Sequence, residues 1–140
     1  MLKRWITLAL TAAVTSLVPI LFGIGAPTIA ATTATPTAGQ EIYNANCSAC
    51  HNVNGTGTPS VFPPLASNAM VTGSPDKVIA VVKNGLTGSI TVNGKTYNST
   101  MPAWKGKLSN AEIADVITYM RSSWGNKGSA VTEAQVASSK

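Results

Sequence analysis

Imidazole is nearly absent from this sequence: His51 is the single histidine among 140 residues. That scarcity excludes multi-histidine metal centres and any catalytic triad needing a second imidazole. Cysteine is almost as rare, with Cys47 and Cys50 the only two. Together with His51 they make three Cys or His side chains, too few for a closed four-ligand zinc site. Charge is also sparse, at 11% of residues, while 44% are apolar, which fits neither a disordered chain nor a coiled coil. The formal charge is +5, two units of which come from Lys3 and Arg4 near the start. No basic tract interleaved with aromatics is present, so no nucleic-acid partner is expected. No internal repeat is visible, and the length fits one domain.

Residues 1–30 read as an export signal. Lys3 and Arg4 make a positive start, Trp5 to Phe22 carries no charge, and small residues follow at Ala26, Thr28, Ala30 and Ala31. The same apolar run is about long enough to span a bilayer if it stays uncut. The expectation is a periplasmic, exported domain that meets the membrane only if this segment is retained as an anchor. Residues 31–38 are rich in Thr, Ala and Pro and form a flexible linker. Residues 39–140 form the folded domain.

Within that domain the signals are mainly helical. Gly39, Ile42, Tyr43 and Cys47 share one helical face that runs into the cysteine pair. Gly55, Gly57, Pro59, Pro63 and Pro64 make residues 52–69 mostly loop. A second helix follows Ser74-Pro75-Asp76, with Val78, Ile79, Val81 and Val82 as its apolar side and Gly85 as its stop. Asn93-Gly94 between two β-forming triplets predicts a hairpin. Ser109 and Glu112 form a capping box ahead of the stripe Ile113, Val116, Ile117, Met120 and Trp124, which Gly125 ends. Thr132 and Gln135 mark a last short helix.

Cys47-Ser48-Ala49-Cys50-His51 has the C-x-x-C-H spacing of covalent haem attachment. Two thiols about one helical turn apart can add to two vinyl groups on one porphyrin edge, and the next residue can bring an imidazole under the ring. A redox-active C-x-x-C pair would call for a βαβ setting that this sequence lacks, and a plain disulfide would leave His51 and the export signal unrelated to the motif. A chain of about 110 residues after export has little apolar core of its own, and a porphyrin supplies interior. Four methionines are candidates for a second ligand. Met1 lies in the export segment, Met120 sits on a packing stripe, and Met70 reads as a core gap-filler. Met101 stands outside any helix, and Pro102 keeps the backbone there extended. His/Met ligation leaves no open position, raises the potential and favours electron transfer.

The order Gly39, Tyr43, C-x-x-C-H, Pro63-Pro64-Leu65, Met101-Pro102-x-Trp104, Leu108-Ser109-x-x-Glu112-Ile113, and Tyr119 to Gly125 resembles class I c-type cytochromes. It is similar above all to the cytochrome modules of quinoprotein alcohol and aldehyde dehydrogenases and of some terminal oxidases. The resemblance runs from about Thr37 to the C-terminus. It implies a cytochrome c fold of three to four helices, long loops around one covalent haem c, and a small hairpin. It makes His51 and Met101 the axial ligands, and crosses Gly39 and Tyr43 with the C-terminal helix near Val116 to Met120. It places Pro63-Pro64 on the His51 side of the haem. The implied function is electron transfer, not catalysis, between a periplasmic dehydrogenase or respiratory complex and an oxidase or reductase. Such dehydrogenase subunits usually carry several haems and this chain has one motif, which favours a free shuttle or a small subunit. The rival is a haem enzyme or gas sensor with an open sixth position, for which no acid–base residue is evident. Lys77, Lys83, Lys95, Lys105 and Lys107 are candidates for steering acidic partners, although ordinary solvated lysines explain them as well. Trp104 is expected on the porphyrin or in the core.

Overall fold

A computed structural model describes residues 36–140. The export segment, residues 1–30, and most of the linker lie outside the described residues. The first helix, α1 (Pro36–Asn46), starts three residues ahead of Gly39 and takes in the end of the stretch expected as linker. Proline at a helix start costs nothing, because its missing N–H has no partner there anyway. A break at Cys47 leads into the single turn α2 (Ser48–His51), and a second single turn, α3 (Ala69–Thr72), follows a long loop. Then come α4 (Pro75–Asn84), the strands β1 (Ile90–Val92) and β2 (Lys95–Tyr97), α5 (Asn110–Ser122) and α6 (Glu133–Ser138). The architecture is mainly helical with one small hairpin, as expected. Among the described residues the helix count rises to six, because α2 and α3, each of four residues, are too short for periodicity to reveal.

Local chemistry accounts for most boundaries. Helix α4 opens on Pro75 and closes at Gly85, whose φ is +76°. A side chain at Gly85 would also strike the Met101 carbonyl oxygen and the Ala103 nitrogen. The hairpin pairs Ile90 with Tyr97 and Val92 with Lys95 in antiparallel register. Asn93 and Gly94 between the strands both take positive φ, the two-residue turn that matches strand twist. Helix α5 opens on a complete capping box, with Ser109 Oγ accepting from the Glu112 N–H and Glu112 accepting from the Ser109 N–H. It ends at Ser122, earlier than its apolar stripe implies: Ser123 is extended and Trp124 has a φ of +53°. Trp124 therefore packs from outside the helix, its ring centroid 4.9 Å from Tyr43 and 5.4 Å from Tyr119. Helix α6 carries a second capping box, between Thr132 and Gln135.

The core is built where α1 crosses α5 and where α4 and α6 pack on α5. Tyr43, Ile79, Ile113, Val116, Ile117, Val131 and Val136 are its most buried apolar side chains. Gly39 sets the α1–α5 spacing. A Cβ there would collide with the Asp115 carbonyl oxygen and come within 2.8 Å of Tyr119 Cβ. The crossing lies at Asp115 and Tyr119, in the part of α5 expected from the resemblance.

Backbone cannot yield as a flexible side chain can, so Gly39→Ala has to force the two helices apart. A loss of about 2–3 kcal/mol is expected, typical of overpacking, and guanidinium denaturation of the haem-loaded protein measures it.

Candidate functional site

The attachment motif is placed by the end of α1. The Cys47 N–H donates to the Tyr43 carbonyl at 2.8 Å, and the Cys47 carbonyl then accepts from both the Cys50 and His51 N–H groups, at 3.2 and 3.0 Å. One tight turn thus carries Cys47, Cys50 and His51. Asn52 follows with a φ of +58° and turns the chain away from the helix. The Tyr43 hydroxyl donates to the Asn52 carbonyl at 2.6 Å and fastens that turn to α1. Burial, and next the nearby Cys47 and Tyr119, push the Tyr43 hydroxyl well above its usual range, so it remains a donor.

Beyond the turn, the loop of residues 52–68 folds back on the motif. The Leu65 and Ala66 N–H groups both donate to the Gly55 carbonyl, at 2.8 and 2.9 Å. This return brings the Pro63 carbonyl to 2.9 Å from His51 Nδ1. Nδ1 must carry the proton to donate to that carbonyl, which leaves Nε2 with the lone pair a metal needs. Burial lowers the His51 pKa, opposed in part by the Pro63 hydrogen bond, and so favours the neutral ring. Cys47 and Cys50 are free thiols. Burial, then the neighbouring Cys50, pushes the Cys47 thiol up to about 11, so at neutral pH it is held protonated.

Met101 is fixed from the other direction. It exchanges two backbone hydrogen bonds with Leu86, at 2.8 and 3.0 Å, just past the end of α4. The Trp104 N–H then donates to the Val82 carbonyl at 3.1 Å, and the Lys105 N–H to the Lys83 carbonyl at 3.0 Å. The chain around Met101 is thereby laid along the last turn of α4 on both sides of Pro102.

Cys47, Cys50, His51 and Met101 all line one cleft of about 1170 Å³, counted to its solvent-exposed mouth. Its walls are overwhelmingly apolar and include Phe62, Leu65, Val78, Val82, Val116 and Trp104. Met70 and Met120 line it too. Met120 is buried in the core, as expected, whereas Met70 is 36% exposed and fills no gap. The Lys107 ammonium lies 5.4 Å above the Trp104 ring. Two free thiols, one imidazole with a free lone pair, and flat apolar walls are the donor set and shape that suit a covalent porphyrin.

Three polar residues escaped the sequence reading. Lys83, expected among solvent-facing lysines, is only 5% exposed. Its ammonium donates to the Val136 carbonyl at 2.8 Å and to the Ser139 carbonyl, binding the C-terminal segment to α4. Lys77, Lys95, Lys105 and Lys107 are exposed. Arg121, also buried, donates to the Val71, Gly73 and Ser129 carbonyls. Asn126 donates to the Leu65 and Met120 carbonyls, at 2.9 and 2.7 Å, and accepts from the Ser67 N–H at 2.9 Å. It pins the loop behind His51 to α5. Each of the three residues makes at least one bond across 50 or more positions, and no spacing in the sequence announces it.

Fold and site together define a c-type haem protein. A protein-family model described as cytochrome c oxidase, cbb3-type, subunit III matches residues 34–120. The chain belongs to this cytochrome c family, and membership carries with it a c-type haem and electron transfer. It is 43% identical over 91 residues to the cytochrome c subunit of the quinone alcohol dehydrogenase of Gluconobacter oxydans (strain 621H), covering 64% of this chain but only 19% of that subunit. It is 38% identical over 92 residues to cytochrome c-552 of Thermus thermophilus, covering 63% of this chain and 69% of that protein. With cytochrome c6 of Leptolyngbya boryana it shares 37% identity over 83 residues, covering 59% of this chain and 86% of that one.

Asn126→Ala would strip three backbone groups of their partner in a buried setting. The expected loss is about 3 kcal/mol, from unsatisfied groups that each cost on the order of 1–3 kcal/mol. Thermal unfolding of the haem-loaded protein checks it, with faster hydrogen exchange at the Ser67 amide as the local sign.

Proposed function

We propose that this chain is an electron carrier with one low-spin haem c, bound through Cys47 and Cys50 and ligated axially by His51 and Met101. The observation that carries the reading is the His51–Pro63 hydrogen bond. It fixes the proton on Nδ1 and reserves Nε2, on a residue that shares an apolar cleft with two free thiols. When bound, the haem supplies a one-electron Fe(III)/Fe(II) couple. The protein's part is to hold both ligands in both redox states and to keep water from the iron. His51, locked by a backbone carbonyl, has no second nitrogen free to act as a base. Cys47 and Cys50 would be consumed as thioethers, leaving neither thiol for catalysis.

Three methionines line the cleft, and the backbone favours Met101 among them. Met101 is paired with Leu86 just past α4, Trp104 and Lys105 beyond it are hydrogen-bonded to the last turn of α4, and Pro102 prevents helix from forming there. Met70 sits on a four-residue helix and is part exposed, and Met120 is committed to the core. The exposed Lys77, Lys95, Lys105 and Lys107 suit a redox protein partner with an acidic face, at a dehydrogenase, oxidase or reductase. The chain acts after export, in the periplasm, and the motif count of one fits a shuttle or a small subunit. No helix among the described residues is long and apolar enough to cross a membrane.

In visible spectra of the haem-loaded protein, Met101→Ala should abolish the Met–iron charge-transfer band, admit carbon monoxide to the ferrous form and lower the reduction potential. Met70→Ala should leave all three unchanged. Loss of the band in Met70→Ala, or ready carbon monoxide binding by the wild type, would transfer the assignment to another ligand or to an open-site enzyme or gas sensor.

A further inference from the structure

Val92 and Tyr97 are only 4% and 5% exposed, yet neither belongs to the main core cluster. Both line the cleft, as do Ile90, Ser99 and Thr100 from the same stretch of chain. Neither strand packs on a helix to an extent comparable with the helix–helix seams. The segment from residue 87 to 100 is therefore a cover, with its apolar inner face turned to the cleft. Its base is the Leu86–Met101 backbone pair.

Away from that base, two side-chain hydrogen bonds fasten it among the described residues. The Ser99 hydroxyl donates to the Val61 carbonyl at 2.7 Å, and the Asn93 amide donates to the Ser67 carbonyl at 3.3 Å. Both acceptors sit on braced backbone. Val61 lies within a turn closed by reciprocal Thr58–Phe62 hydrogen bonds of 2.9 Å, and Ser67 is held by Asn126. Ser99 is two residues from Met101, and Val61 is two residues from Pro63, whose carbonyl orients His51. One hydrogen bond thus joins the strand that presents one axial side to the loop that orients the other.

We propose that Ser99 is a positioning residue: with Asn93 it clasps the hairpin cover shut and so governs how readily the Met101 side of the haem opens to small ligands. The inference rests on the Met101 assignment above. An exposed hydrogen bond contributes little to global stability. Local opening is another matter, because a segment with few helix contacts opens far more readily than the whole fold. One bond is then a large share of what holds the cover down.

The test is the rate at which imidazole displaces Met101 in the oxidised, haem-loaded protein, followed by loss of the Met–iron band in stopped flow. Ser99→Ala and Asn93→Gly, the latter keeping the positive-φ turn, should each accelerate displacement about fivefold, the factor expected from one net hydrogen bond. Ser99→Thr keeps the hydroxyl and should restore the wild-type rate. Ser122→Ala removes a hydroxyl bonded to Thr118 within α5 and should have no effect. Hydrogen exchange at the amides of residues 90–97 should rise in the two accelerated variants only. Unchanged rates in both, or equal acceleration in Ser122→Ala, overturn the clasp. A wild type with no Met–iron band overturns the Met101 assignment and the clasp with it, whereas a normal band with unchanged rates sinks the clasp alone.

Discussion

The hydrogen bond from His51 Nδ1 to the Pro63 carbonyl can form only if the glycine- and proline-rich chain between them, a separation of 12 positions, returns on itself, and only if a tight turn has first presented the ring. The rest of the structure serves those two conditions. Tyr43 secures the turn to α1, and Gly39 lets α1 lie close against α5. Asn126 anchors the returning loop to the end of α5, beside the Trp124–Tyr43–Tyr119 cluster. Residues of α1, α4 and α5 wall an apolar cleft that both the imidazole and the Met101 segment line.

Such an interior is economical in a chain this size. A small domain buries a modest fraction of its surface, and its core alone is marginal. Here Phe62, Leu65 and Trp104 line the cleft while only part-buried, so their burial is completed by an occupant of matching apolarity. Structural and electronic roles then coincide: the group that fills the core is the one that carries the electron. In the proposed carrier the same walls would keep water from the iron, which favours rapid electron exchange over ligand chemistry.

Much of this was legible in the sequence because its causes are local. Asn93-Gly94 specified the hairpin, Pro75 and Gly85 bounded α4, and Ser109 with Glu112 opened α5. The attachment motif spans five consecutive residues, so its chemistry needed no fold to be read. The end of α5 was misread because Trp124 continues the apolar stripe in sequence while its backbone has left the helix. Helices α2 and α3, at 4 residues each, are too short for an apolar stripe to repeat. Lys83 read as a solvated lysine, and Arg121 and Asn126 gave no signal at all, because they bond to backbone carbonyls up to 61 positions away. The reach of Pro63 to His51 was expected only through the resemblance to cytochromes, since loops leave no periodic trace.

With an occupant completing its interior, the cleft-bounded fold and its cofactor should unfold as one cooperative unit. Guanidinium unfolding of the chain produced with and without haem loading, followed by far-ultraviolet circular dichroism and amide hydrogen exchange, is the direct test. A single cooperative transition is expected for the loaded protein. The haem-free chain should lose cooperativity, with unprotected amides in residues 52–68 and 87–104. An equally sharp transition and the same protection in the haem-free chain would contradict this, because the walls of the cleft would then be stable without anything between them.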